Sequence, residues 1–227
     1  MTFVKICSVR AVEHAVWARE AGADEIGMIF ADAPRRIDLK VARAIRRELG
    51  PRIEIVESTT EAVERERHAA NQPLLVGVFA RQSVEDIERV LERVDLDLIQ
   101  LSGGEHPALA ARIRRPVVRV IHVADGMNAA SVLREIDRAP HTITMLDARS
   151  KQGGGTGQRI DWSIAAEVAT NRPLVLAGGL NPDNVAEAVR VVRPWAVDAS
   201  SGLETNGNKD REKIRAFIAV AKAGGLS

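Results

Sequence analysis

Cys7 and Asp147 are the two side chains whose type and position best suit acid–base chemistry. Cys7 ends an apolar run at residues 3–7, and its thiolate could act as a base. Lys5 lies two residues earlier on the same side of a strand, and its positive charge is expected to lower the pKa of the thiol. Asp147 follows a second apolar run, where a purely structural strand would bury the carboxylate at a cost. The alternatives are a cysteine that is only a small buried hydrophobe and an aspartate that caps the glycine loop behind it.

Glycine and serine clusters follow three predicted strands in the second half of the chain. Glycine allows backbone N–H groups to approach an anion closely, and a helix N-terminus adds a favourable dipole. Turns need glycine in any case, but three clusters on consecutive loops favour a phosphate site. The predicted phosphate-binding residues are Gly155, Gly157, Gly178, Gly179, Ser200, Ser201 and Gly202.

The elements that must position these residues alternate with a period of about 25 residues. Apolar, β-branched runs predict strands at residues 3–7, 25–30, 74–79, 97–101, 117–122, 142–147, 174–177 and 196–199. Amphipathic stretches predict helices at 11–21, 39–49, from 83 onwards, and at 105–114, 128–138, 162–170, 182–192 and 210–223. Eight such units in 227 residues predict a single-domain α/β protein, a (β/α)8 TIM barrel. An open doubly wound sheet is the alternative, but no glycine-rich turn follows the first strand.

An extra stretch at about residues 52–73 interrupts this alternation. Residues 53–57 could be a short strand, or even the true third strand, and residues 60–71 read as a charged helix. The stretch falls between the second helix and the third strand, at the end of the barrel where loops serve stability. We therefore expect a surface elaboration or an oligomer contact.

Composition excludes several classes of protein. Lys plus Arg number 32 and Asp plus Glu number 31, and this balance argues against nucleic-acid or anionic-membrane binding. No apolar run of about 18 residues predicts a membrane helix, and no secretory signal is recognisable. The single cysteine favours the reducing cytoplasm. The five histidines lack metal-ligand spacing, although His122, which ends the fifth predicted strand, is a candidate site residue.

Six motifs together carry a resemblance to a known family. They are Lys5-Ile6-Cys7, Gln100-Leu101-x-Gly103, Leu146-Asp147-Ala148, Gly154-Gly155-Thr156-Gly157 with Asp161-Trp162, Ala-Gly-Gly-Leu-Asn-Pro-Asp-Asn-Val at 177–185, and Val-Asp-Ala-Ser-Ser-Gly-x-Glu at 197–204 followed by Lys209-Asp210. The chain resembles phosphoribosylanthranilate isomerase over almost its whole length, apart from the stretch near residues 52–73. The order and spacing of the motifs agree with the barrel.

The resemblance implies a cofactor-free Amadori rearrangement in tryptophan biosynthesis. N-(5-phosphoribosyl)anthranilate would become 1-(2-carboxyphenylamino)-1-deoxyribulose 5-phosphate, with Cys7 as general base and Asp147 as general acid. Asp147 would have to hold a proton and Cys7 would have to lose one. The resemblance also implies a set of substrate-binding residues: Lys5, Arg35 or its neighbour Arg36 for the anthranilate carboxylate, Gln100, Ser102 and Asp198. A phosphorylated small molecule is the expected partner, and the chain is expected to be a monomer or a homodimer.

Three positions depart from the family pattern. Ser8 stands where the family has glycine, Arg10 adds a charge near the pocket, and Ser102 replaces the histidine of Gln-Leu-His-Gly. Only seven residues are aromatic, so Phe30 and Phe79 are the nearest candidates to stack on an anthranilate ring. The departures keep two alternatives open: a paralogue acting on a related phosphoribosyl amine, and a non-catalytic phosphosugar-binding module.

Overall fold

Eight parallel strands close on themselves in chain order. They are β1 (Phe3–Ile6), β2 (Glu25–Ile29), β3 (Leu74–Phe79), β4 (Leu98–Leu101), β5 (Val117–Val123), β6 (Ile143–Ala148), β7 (Leu174–Leu176) and β8 (Ala196–Ala199). The computed structural model describes residues 2–148 and 161–224. Each strand pairs with the next, and β8 pairs with β1 to complete the barrel. The predicted barrel is confirmed, and each strand lies within one residue of its expected ends.

Helices cover the outside of the barrel. They are α1 (Val12–Glu20), α2 (Leu39–Leu49), α3 (Thr60–Ala70), α4 (Val84–Leu91), α5 (Ala129–Asp137), α6 (Trp162–Ala169), α7 (Val185–Val192) and α8 (Arg211–Gly224). Several begin at a side chain that accepts a backbone hydrogen bond from the first turn, namely Asp38, Thr59, Ser83, Asn128 and Asp161. The short strands β9 (Glu204–Thr205) and β10 (Asn208–Lys209) form a hairpin between β8 and α8.

The predicted helix at 105–114 is only a 3₁₀ helix at Pro107–Arg112. The Glu105 carboxylate is the reason that the helix does not begin earlier. It accepts hydrogen bonds from the backbone N–H of Arg81 at 2.7 Å and of Gly103 at 2.9 Å. Glu105 therefore joins the loops that follow β3 and β4 and does not start a helical turn.

The predicted helix at 182–192 begins three residues late, at Val185. The Asn184 side chain accepts a hydrogen bond from the backbone N–H of Asn181 and donates one to the Gly179 carbonyl, both at 2.9 Å. These bonds hold the preceding residues in a tight loop after β7. The loop keeps the glycines at the upper end of the barrel, where the strands end.

Each strand alternates its side chains between the barrel interior and the surrounding helices. The lower interior is apolar and includes Phe3, Val76, Leu98, Val118, Met145 and Ala196. Further along the same faces stand buried polar groups, among them Lys5, Gln100 and Asp198. These buried polar groups therefore lie closer to the end at which the strands terminate than the apolar layer does.

Residues 52–73 close the opposite end of the barrel. Ile53, Ile55 and Val63 pack into the same cluster as Phe3 and Leu98 of the interior. Residues 53–57 form no strand, so both expectations of a strand there were wrong. The helix expected at 60–71 is α3.

Buried carboxylates attach this floor to the barrel. Asp97 accepts hydrogen bonds from the Arg46 guanidinium at 2.9 Å, from the Ile53 N–H at 2.7 Å and from the Leu75 N–H at 2.6 Å. The Ile53 N–H is thus used by a side chain instead of a neighbouring strand, which explains why residues 53–57 do not join the sheet. Asp24 at the start of β2 pairs in the same way with Arg67 of α3 at 3.1 Å.

Asp97→Ala is expected to lower the free energy of unfolding by about 3–5 kcal/mol, because it leaves the buried Arg46 guanidinium without its anion. Urea denaturation measures this change. Asp95→Ala is the matched control, since the Asp95 side chain is 57% exposed beside Arg52 and Arg115, and its loss should cost less than about 1 kcal/mol. Equal losses in the two variants would contradict the attachment of the floor through Asp97.

Candidate active site

Cys7 lies at the upper end of β1, where it is 6% exposed. Its backbone N–H donates to the Ala199 carbonyl of β8 at 2.9 Å, so the sheet holds it in place. Gly27 of β2 faces it, and a Cβ at that position would lie 2.9 Å from the Cys7 Sγ and 3.2 Å from its Cα. Only glycine therefore leaves room for the thiol on this side.

Lys5 and Asp198 form a buried ion pair beneath Cys7. The two residues are paired in register between β1 and β8, and the Lys5 Nζ donates to the Asp198 Oδ1 at 2.9 Å. The lysine side chain is 1% exposed. Burial alone would lower the pKa of Lys5, but the negative charges of Asp198, Cys7 and Glu25 outweigh it and raise that pKa. Lys5 is therefore a fixed cation in the barrel interior.

The Cys7 thiol is less acidic than its neighbours alone would suggest. Burial raises its pKa and is the largest effect. Lys5 opposes burial, as expected, and so does Lys209, whereas Asp198 adds to it. Lys5 therefore lowers the thiol pKa as expected, but burial outweighs it and the net direction is upward.

Ser8 adopts the backbone conformation that favours glycine, with φ of 62°. Its hydroxyl lies 2.6 Å from the Ser200 hydroxyl, which joins the loop after β1 to the loop after β8. That hydrogen bond offsets the strain of a side chain at this position. The Arg10 guanidinium donates to the Gly207 carbonyl of the β9–β10 hairpin at 2.6 Å, so its charge lies at that hairpin, which follows β8.

The glycine and serine loops after β7 and β8 lie against each other. Gly178 and Gly179 have φ of 94° and 67°, and a Cβ on Gly202 would collide with the Leu180 carbonyl. The buried Lys209 donates to the Ser200 carbonyl at 2.8 Å and so steadies the second loop. Ser201 lies in the 3₁₀ helix Ser201–Leu203 of the same loop. Five of the seven predicted phosphate-binding residues are thus neighbours, and Gly155 and Gly157 lie outside the described residues.

The structure separates the two candidate arginines. The Arg35 Nε and Nη2 donate to the Glu204 carboxylate at 3.0 and 2.9 Å, which brings Arg35 to the loop after β8. The Lys209 Nζ reaches the same carboxylate at 3.2 Å. Arg36 instead lines a groove between α2 and α4, together with Asp86. Arg35 is therefore the arginine on the side of Cys7.

Gln100, Ser102 and His122 are linked on the other side of the barrel. The Gln100 Nε2 donates to the Ser102 Oγ at 3.0 Å, and the His122 Nε2 donates to the Ser102 carbonyl at 2.8 Å. His122 pairs in register with Asp147, which is half-buried at the end of β6. Asp147 thus follows Ile143 and Met145 on the inner face of its strand.

Phe30 and Phe79 are not available to stack on a ligand ring. They stack on each other with ring centroids 5.4 Å apart, and they are 3% and 0% exposed. Both belong to the core between the barrel and its helices. The expectation that they contact an aromatic ring was wrong, because their strand positions face outward.

Sequence reasoning assigned no role to Glu25, Glu204 and Lys209. Glu204 and Lys209 belong to the motif that spans residues 197–210. Their place in that motif was the signal that could have identified them. Glu25 begins β2 on the same face as Gly27, and its burial to 2% exposure follows from that alternation. A carboxylate in an otherwise apolar strand was the signal for it.

Across residues 2–148 and 161–224, no cluster of three or more His, Cys, Asp or Glu side chains could hold a metal ion. Nor does this part of the chain contain a helix long and apolar enough to cross a membrane. The described groups can do two things: they can exchange protons, through Cys7 and Asp147, and they can bind anions, through Arg35 and the glycine loops.

A family model described as N-(5'phosphoribosyl)anthranilate (PRA) isomerase matches residues 54–220. The chain belongs to this family. It is 44% identical to the N-(5'-phosphoribosyl)anthranilate isomerase of Roseiflexus sp. (strain RS-1), over 98% of this chain and 99% of that protein. The corresponding protein of Dehalococcoides mccartyi is 36% identical, over 98% of this chain and 96% of that protein.

Solved structures of phosphoribosyl anthranilate isomerase have the same fold. The structure from Thermotoga maritima has a TM-score of 0.81 and 35% identity, covering 98% of this chain and 100% of that chain. A second structure, solved in complex with reduced 1-(o-carboxyphenylamino)-1-deoxyribulose 5-phosphate, has a TM-score of 0.78 and 34% identity, with the same coverage. The resemblance to phosphoribosylanthranilate isomerase drawn from the motifs is confirmed.

Cys7 is expected to react with iodoacetamide with a pH midpoint above the ordinary pKa of a thiol, because burial disfavours the thiolate. Cys7 is the only cysteine, so the mass of the intact chain reports its alkylation alone. The same chain unfolded in urea is the control, since unfolding removes the burial. A native midpoint below the unfolded one would contradict this description of the thiol.

Proposed function

We propose that this chain catalyses the Amadori rearrangement of N-(5'-phosphoribosyl)anthranilate to 1-(2-carboxyphenylamino)-1-deoxyribulose 5-phosphate in tryptophan biosynthesis. The observation that carries the proposal is the facing arrangement of Cys7 and Asp147. Both stand on inner faces at the upper end of the barrel, on strands separated only by β7 and β8. Family membership and the full-length similarity to relatives named for this activity support the same reaction.

Asp147 acts as the general acid in this reaction. It donates its proton to the ring oxygen of the ribose while the C1′–O bond breaks, and the ring opens to a protonated Schiff base. Such proton transfer by a positioned side chain contributes typically about 10²–10⁴-fold to the rate. Asp147 is half-buried at the end of β6, next to His122 of β5. Its partial burial limits the access of water to the carboxyl group.

Cys7 acts as the general base. Its thiolate takes the proton from C2′, and the electrons of the C–H bond form the double bond of an enolamine. The enolamine then tautomerises to the ketone, with protonation at C1′ and loss of the proton from the C2′ hydroxyl. The Lys5 ammonium close to the sulfur stabilises the thiolate in this step, and Asp198 keeps that ammonium in place.

The loops after β7 and β8 bind the phosphate of the substrate. Gly178, Gly179 and Gly202 leave backbone N–H groups open to an anion, and Ser200 and Ser201 add hydroxyls. Their direct packing supports a single cradle. Gly155 and Gly157 join this site in the proposal on the motif alone.

Arg35 binds the anthranilate carboxylate. Two of its nitrogens, Nε and Nη2, bond Glu204, and within the described chain Nη1 has no protein partner. Glu204 orients the guanidinium so that Nη1 is presented to the ligand. The hydrogen-bonded pair of Gln100 and Ser102 lines the opposite wall of the substrate site.

A paralogue acting on a related phosphoribosyl amine is the second candidate. Ser102 favours it, because the family motif has a histidine there. Complementation of an auxotroph that lacks the isomerase separates the two. The quaternary state is proposed as monomer or homodimer, which gel filtration decides; a Thermotoga maritima relative is named as dimeric. A cytoplasmic location is proposed from the single thiol, which a reducing compartment keeps usable.

Cys7→Ala and Asp147→Asn are each expected to lower kcat/KM by about 10²–10⁴-fold, because each removes one proton-transfer partner. Loss of substrate fluorescence measures turnover. Asp125→Asn removes an exposed carboxylate after the neighbouring strand β5 and should change turnover less than about twofold. Folded Cys7→Ala or Asp147→Asn protein with full turnover would overturn the assignment and favour a different reaction.

Arg35→Met is expected to raise KM by at least about tenfold, because a charge-assisted hydrogen bond to the carboxylate is lost. Arg36→Met serves as the comparison, and its KM should stay within about twofold, since Arg36 lies between α2 and α4. Steady-state kinetics of the two variants decides between them. The reverse pattern would assign the carboxylate to Arg36.

A further inference from the structure

Glu25 is a buried carboxyl group that the proposed reaction leaves unused. It is 2% exposed and stands opposite Lys5 in the register of β1 and β2. Its Oε1 atom is buried and has no hydrogen-bond partner among the described residues. An unpaired buried carboxylate is costly, so the group needs either a proton or a role in the charge balance around it.

The surroundings of Glu25 contain one cation and two acids. Lys5 faces it from β1, Asp198 lies beyond Lys5 on β8, and Asp24 precedes it in the chain. On β3 its register partner is the apolar Leu74. Burial raises the pKa of Glu25 to about 7, although Lys5 opposes the rise. Glu25 therefore changes its charge in the neutral pH range.

Cys7 belongs to the same group of charges. Lys5 and Asp198 lie beneath it, Lys209 faces it from β10, and Arg35 approaches from the loop after β2. The Gly27 position, one step above Glu25 on the same face of β2, contacts both the Cys7 sulfur and the Lys5 side chain. Glu25 and Cys7 thus share Lys5 as their common cation.

The number of protons in this cluster decides the state of the thiol. Because the charges of Lys5 and Asp198 balance each other, ionisation of either Glu25 or Cys7 adds one negative charge to this group. If both are ionised, a second uncompensated charge is buried, which costs free energy. Ionisation of one group therefore opposes ionisation of the other.

We propose that the charge of Glu25 controls when the Cys7 thiol becomes the reactive thiolate, because an ionised Glu25 and the thiolate compete for the one Lys5 ammonium. A protonated Glu25 leaves the ammonium to the thiolate, whereas an ionised Glu25 opposes the loss of the thiol proton to solvent or substrate. Glu25 acts through Cys7 and does not touch the substrate, so it is a positioning residue. The inference rests on the proposed function only in that it explains how a buried thiol serves as a base.

The test is the pH dependence of Cys7 alkylation by iodoacetamide in the full-length Glu25→Gln variant. The glutamine side chain has the shape of protonated glutamate and never becomes negative. The midpoint is expected to fall by about one pH unit, which gives about tenfold faster alkylation below the midpoint. Glu25→Asp, which keeps a carboxylate, is expected to restore the wild-type midpoint.

Glu135→Gln is the matched control, because Glu135 pairs with Arg119 and Arg138 on the outside of the barrel. Its midpoint should equal that of the wild type. A folded Glu25→Gln protein with an unchanged midpoint would overturn the proposal. If that variant does not fold, Glu25→Ala decides in the same way, since it leaves no unpaired polar group in the interior.

Turnover separates this inference from the proposed function. A wild-type chain that does not convert phosphoribosylanthranilate removes the proposed function, while the alkylation midpoints still decide the coupling. An active wild-type chain is expected to show an acidic limb of kcat/KM that moves to lower pH in Glu25→Gln. An alkylation midpoint and an acidic limb that both stay in place remove the coupling alone.

Discussion

The ion pair between Lys5 and Asp198 is the interaction on which the upper half of the barrel depends. A lysine with 1% exposure cannot remain charged in an apolar interior without an anion at hydrogen-bond distance, and Asp198 supplies one at 2.9 Å. The register of β1 and β8 places the two residues opposite each other. The pairing of strands that closes the barrel therefore also neutralises the charge of Lys5. Cys7 and Glu25 both take their electrostatic surroundings from this pair.

The two ends of the barrel use buried charge for different purposes. At the floor, Asp97 and Asp24 have several donors each, and their role is to attach residues 52–73 and neighbouring helices to the strands. At the upper end, two carboxyl groups and a thiol interact with the single ammonium of Lys5. Carboxylates with several donors stabilise a structure, whereas acids that share one cation oppose each other's ionisation.

Much of this fold is predictable from the sequence, because parallel strands buried on both faces are apolar throughout and stand out against charged helices. β3 and β8 have the predicted bounds. The sequence could not exclude the predicted helix at 105–114. The Glu105 carboxylate accepts hydrogen bonds from the loops after β3 and β4, and this contact has no signal in the local sequence. For the site, strand alternation predicts that Cys7 and Lys5 share a face. The rise in the thiol pKa could not be predicted, because it depends on burial by the whole barrel.

Gly27 restricts which amino-acid sequences this barrel can accept. A side chain at position 27 would occupy space next to Cys7 of β1. A residue on a neighbouring strand therefore determines which substitutions position 27 tolerates. Replacing it with any larger amino acid pushes against the backbone of Cys7 as well as the sulfur. Glycine is therefore needed at position 27 for as long as Cys7 keeps its place on β1. Position 27 thus limits substitution through its shape alone, although it carries no group that could exchange a proton.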